Sequence, residues 1–161
     1  MSGIDRECLR RSLNSLCEFL DIEYKINEGG CCWIASEIAR HLDELKIPYD
    51  LVIYDFEEKD SELISNEVRN MRKNHKSSHS VAGYNSCNHY CLYIHDCGII
   101  NGDDSGNRYL IKDVNYKNIS WIYKKSCWND CYDTTNNKTI KKILNLFFKK
   151  YDKILEEELF I

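Results

Sequence analysis

The stretch Asn27-Glu28-Gly29-Gly30-Cys31-Cys32-Trp33-Ile34-Ala35 constrains this chain most, because it runs a double glycine straight into an apolar-periodic segment. From Cys31 onward the apolar positions Cys31, Ile34, Ala35, Ile38, Leu42 and Leu45 recur at three- and four-residue steps, which predicts a helix with one buried face. Consecutive glycines weaken a helix interior, so the helix starts at or just after them, and it ends before Pro48. Cys31 then sits on the first turn. Unpaired backbone N–H groups and the positive end of the helix dipole favour thiolate over thiol there, which makes Cys31 a candidate nucleophile.

Ahead of this helix, residues 5–21 place Leu9, Leu13, Leu16, Cys17 and Leu20 on one face of a packing helix, with Cys8 and Cys17 as core thiols. Residues 22–26 read as a short extended connection. After the central helix, residues 50–55 hold four consecutive apolar residues between acids, consistent with a buried strand. An amphipathic helix over 60–71 and a polar loop over 74–88 follow, the loop positioned to border a cleft. Residues 88–94 predict a strand buried on both faces, residues 95–98 a hairpin turn and residues 98–103 its partner. Residues 108–114 and 119–123 read as further strands around a turn at 115–118. Residues 136–159 form a long helix with the stripe Ile140, Ile143, Leu144, Phe147, Phe148, Tyr151 and Leu155. Together these predict one α+β domain over 1–161: the cysteine helix on a mostly antiparallel sheet of about four strands, with the last helix covering another side.

A cysteine nucleophile needs a base and a group that orients it. His89 opens the predicted strand, and the hairpin register decides which side chain of the next strand faces it. A three-residue turn selects Ile99, Asn101 and Asp103; other turn lengths select the even positions, Asp104 among them. His41 reads as a solvated helix residue beside Arg40 and Asp43, His75 and His79 lie in the polar loop, and His95 lies in the turn. Duller readings stand beside these: Cys31 as a small buried hydrophobe and His89 as a satisfied core histidine.

In order and setting, Gly29-Gly30-Cys31 with Ala35, the strand Leu51–Tyr54, His89, Asn101-Gly102 and the tail Trp128-Asn129 with Asp133 resemble the papain-like superfamily. The likeness is to its short, transglutaminase-like form, particularly small papain-fold proteins of phages, and covers residues 27–150. It implies that a Cys31 thiolate paired with protonated His89 attacks a carbonyl while Asn101 or Asp103 fixes the imidazole. It selects Cys31 over Cys32, which is expected to pack against the sheet. The family often holds the oxyanion with a Gln ahead of the cysteine. This chain has no Gln, which leaves Asn27 or Tyr24, and Trp128, Asn129 and Asp133 are expected to line the cleft.

A net charge of −4 and a pI near 5.7 give no electrostatic footprint for nucleic acid or a membrane surface. No leader-like segment or long apolar run is present, and nine cysteines without a secreted context read as reduced thiols in a cytoplasmic protein. The leading expectation is therefore a cofactor-free, cysteine-dependent hydrolase or acyl transferase acting on an amide or thioester bond of a protein or peptide, in host cytoplasm if phage-encoded. One alternative is a zinc protein using Cys87, His89, Cys91, His95 and Cys97, with Cys127 and Cys131 as further ligands. The other is a catalytically silent papain fold that binds a partner such as a host component. None of these patterns sets an oligomeric state.

Overall fold

A computed structural model describes residues 3–55, 88–102, 107–125 and 132–159. In order, these form α1 (Gly3–Tyr24), α2 (Cys31–Glu44), β1 (Tyr49–Asp55), β2 (Asn88–Ile94), β3 (Gly98–Ile100), β4 (Asn107–Ile111), α3 (Tyr116–Lys125), a 3₁₀ turn (Thr134–Asn136) and α4 (Asn137–Leu159). The architecture is α+β. The predicted helix over 60–71 and the loop over 74–87 lie outside the described residues.

The four strands form an antiparallel sheet in the order β3-β2-β1-β4. Strand alternation assigns Leu51, Ile53, Tyr90, Leu92 and Ile94 to the main core beneath the helices. Val52, Tyr54 and Cys91 form a second buried cluster on the other face, with Tyr93 and Ile99 against it. This explains the unbroken apolar run in β1. Both of its faces are covered, so nothing selects for alternation.

Helix α2 is buried nearly all round, not along one stripe, because the sheet, α3 and α4 pack against it from different sides. His41 is consequently no solvated residue. It is 7% exposed and stacks on Phe148 of α4, ring centroids 4.3 Å apart and planes 5° from parallel. Burial, with the Arg40 charge beside it, lowers its pKa. The long last helix packs on α1 and α2, so it covers the helical layer.

The end of α2 carries a Schellman arrangement: Lys46 adopts φ +57°, its N–H donates to the Asp43 carbonyl (3.1 Å), and the Ile47 N–H donates to the Leu42 carbonyl (2.9 Å). Asp43 then ties three elements together. One carboxylate oxygen accepts from the Tyr49 hydroxyl at 2.7 Å, and the other from the Tyr116 N–H at 3.0 Å.

Three local expectations are corrected. Residues 22–24 continue α1, with the Lys25 N–H still bonded to the Asp21 carbonyl at 2.9 Å before the chain turns. The turn and strand expected over 115–123 are instead a cap at Asn115 and the helix Tyr116–Lys125. Asn115 and Asn118 exchange side-chain-to-backbone bonds of 3.1 Å each, a reciprocal cap, and Ile119 and Ile122 then share a buried face three residues apart. Cys8 is exposed, whereas Cys17 is in the core and burial pushes its thiol up to about 12. Among the described residues no helix is long and apolar enough to cross a membrane.

Lys46→Gly relieves a left-handed side-chain residue and should raise unfolding free energy by about 0.5–1 kcal/mol, read from the urea midpoint. The unfolded chain protonates His41 near its ordinary pKa of about 6.5, while the folded chain resists protonation. Stability should therefore be full above that pH and fall as pH drops from it toward the lowered folded value, and His41→Phe should flatten that part of the profile.

Candidate active site

The start of α2 is bare. Gly30 occupies the N-cap position and provides no side-chain cap, while its carbonyl accepts the first helical bond from the Ile34 N–H at 3.0 Å. Cys31, 8% exposed, is the first helical residue. Gly30 is required for packing as well as for termination. The Tyr132 ring lies directly on it, and a methyl group there would come within 2.6 Å of the ring's Cζ. Tyr132 also packs on Trp33, ring centroids 5.9 Å apart. Cys32 is buried in the main core, its Sγ 3.6 Å from the Ile119 carbonyl of α3, and burial pushes its thiol well above the ordinary range.

His89 lies at the same end of the sheet, as the second residue of β2. The β2–β3 pairing joins Ile94 to Gly98 across the three-residue turn His95-Asp96-Cys97, so Ile99 and the residues at alternate positions share the face of His89. Asn101, immediately after β3, is left-handed at φ +59° and bends the chain over that face. Gly102 follows so closely on Ile99 and the Tyr54 hydroxyl that a side chain would collide. The bend delivers the Asn101 main-chain carbonyl to 2.6 Å from His89 Nε2. With Nε2 as the donor, the tautomer makes Nδ1 the basic nitrogen.

Asn101 therefore meets His89 through its backbone, while its side chain does something else. Its amide exchanges two bonds with Asn27, at 2.9 and 3.0 Å, and its N–H donates to Asn14 Oδ1 at 2.8 Å. Asn14 Nδ2 in turn donates to the Ile99 carbonyl at 3.1 Å. Sequence reading missed Asn14. The one available signal was a short amide four residues after Arg10 on α1, away from the leucine stripe.

The structure thus joins Asn27, Asn101 and His89 in one hydrogen-bonded chain at the end of the sheet nearest Cys31. It does not place Cys31 and His89 on one side of the pleat. His89 pairs across the strands with Tyr54, ring centroids 6.0 Å apart, on the second face, whereas Cys31 belongs to the main core. Tyr24 packs edge-on against Phe19. Asp133 is exposed and caps the 3₁₀ turn, accepting from the Thr135 N–H at 3.0 Å. Asp103, Trp128 and Asn129 lie outside the described residues.

Among the described residues no three His, Cys, Asp or Glu side chains converge as metal ligands. Cys91 sits in the second cluster, and His95 Nε2 lies 2.9 Å from buried Asp50; Cys87, Cys127 and Cys131 are outside the described residues. That Asp50–His95 pair lines a cavity of about 400 Å³ at the opposite end of the sheet, with Asp43, Lys46 and Lys112. Comparison of the chain with protein-family models, curated proteins and solved structures gives no significant match.

Because the Asn101 carbonyl, and not its amide, meets His89, Asn101→Gly should retain the Nε2-protonated tautomer in long-range ¹H–¹⁵N spectra. Asn101→Val, which resists positive φ, should lose it. Both variants forfeit the amide pair with Asn27 and should be destabilised by about 1–2 kcal/mol.

Proposed function

We propose that this chain is a papain-like, cysteine-dependent hydrolase or acyl transferase acting on an amide or thioester bond of a protein or peptide. The observation that carries the reading is the fixing of His89 Nε2 by the Asn101 carbonyl at the sheet end where the bare start of α2 presents Cys31. In this mechanism Nδ1 of His89 takes the Cys31 proton. The thiolate attacks the carbonyl carbon, and the imidazolium returns the proton to the leaving group. Asn101 is a positioning residue. The same groups serve hydrolysis, deamidation and acyl transfer, the acceptor of the acyl group being the difference.

A second reading is favoured by the pleat. His89 and Cys31 occupy opposite faces of the sheet, the arrangement of a catalytically silent fold that binds a partner. Iodoacetamide alkylation of each cysteine, followed by mass spectrometry from pH 5 to 9, separates the two. For an enzyme, Cys31 outpaces even exposed Cys8, stays reactive well below the ~8.5 at which a free thiol half-ionises, and loses that advantage in His89→Ala. Cys31 reacting no faster than buried Cys17 in both proteins would leave the binding reading.

A further inference from the structure

We propose that the Tyr132 hydroxyl is the side-chain donor that holds the oxyanion formed at Cys31, an inference that rests on the cysteine-enzyme reading above. Tyr132 is 5% exposed, yet its hydroxyl finds no hydrogen-bond partner among the described residues. A buried hydroxyl without a partner costs about 1–3 kcal/mol, so such a group points to a ligand that completes it. The place of this one is specific. The ring edge from Cδ2 to Cζ lies on Gly30, the residue immediately ahead of Cys31, and Trp33 braces the ring from the next stretch of the same helix.

The ring thereby sits beside the start of α2, the part of the helix where negative charge is best accommodated. Gly30 leaves the first-turn N–H groups without a side-chain cap, and the helix dipole adds partial positive charge. A tetrahedral oxyanion on a carbonyl bound to Cys31 Sγ would meet the Cys31 N–H from one side and the Tyr132 O–H from the other. The donors expected from the sequence are placed otherwise: both polar atoms of the Asn27 amide are engaged by Asn101, and Tyr24 packs on Phe19. Burial also raises the Tyr132 phenol to about 12, so it remains a proton donor throughout the range in which a thiolate works.

The Cys31 proton passes to His89, the S–C bond forms, and the carbonyl π pair moves onto oxygen, where Tyr132 donates to it. Collapse of the oxyanion breaks the bond to the leaving group, which takes the proton back from His89, and leaves a thioester on Cys31.

Tyr132→Phe removes one oxygen and keeps the ring on Gly30, so the full-length variant is compared with the parent in three measurements. Acylation is followed by nitrophenolate release from p-nitrophenyl acetate together with the mass of acetylated Cys31. Alkylation of Cys31 by iodoacetamide, a displacement that develops no oxyanion, is the second. Thermal unfolding is the third. Acylation should fall by about 100-fold, the scale of losing one oxyanion donor, while alkylation stays unchanged and Tm holds or rises because an unpartnered hydroxyl has gone. Unchanged acylation in the variant overturns the role of Tyr132 and leaves Cys31 as nucleophile. Equal losses of acylation and alkylation with a lowered Tm mark a packing role and overturn it too. A parent protein that never acetylates at Cys31 removes the cysteine-enzyme reading and this inference with it.

Discussion

One peptide, the left-handed Asn101, holds the candidate site together. Asn14 from α1 fixes its N–H, Asn27 from the loop before α2 grips its side chain, and its carbonyl reaches His89. Three segments distant in sequence therefore converge on a residue whose conformation is itself unfavourable for a side chain. Neutral amides suit this work, since each can donate and accept at once and none introduces a buried charge that needs compensation. The edge strand β3 is only three residues long, and α1 reaches it through Asn14, so the same network secures the sheet edge.

The two ends of α2 are built for different purposes. The C-terminal end is closed by the Lys46–Ile47 cap and by Asp43, which collects the starts of β1 and α3. The N-terminal end has a glycine, no cap and an aromatic ring laid on its backbone. Helix α2 is thus tied down by hydrogen bonds at one end and by ring packing on a glycine at the other.

Much of the fold was legible because periodicity is local. The run into Ile34, Ile38 and Leu42, the doubly buried β1 and the three-residue hairpin turn were each written in a few adjacent residues. Ile119 to Tyr123 misled, since its Ile, Trp and Tyr residues are strand formers and the Asn115/Asn118 reciprocal cap is an uncommon form of a known signal. His41 misled for another reason: its polar sequence neighbours gave no hint that α4 would cover that side of α2. At the site, register put the residue at position 101 on the face of His89, but no pattern reveals that a left-handed peptide would present a carbonyl and free the amide for Asn27. Tyr132 was invisible because its contact with Gly30 spans most of the chain.

The strand order carries a consequence for how the chain comes into being. β1 is an interior strand, yet both of its partners, β2 and β4, lie C-terminal to it. As the chain leaves the ribosome, α1, α2 and β1 are complete before either described partner strand has been made, and the apolar run Leu51–Tyr54 waits without β2 or β4 along its edges. Sheet formation then has to close long loops twice, first to bring in β2 and later β4, which places this protein among the slower-folding topologies. The acids Asp50 and Asp55 that bracket the run are well placed to keep that waiting strand from pairing with a neighbour's.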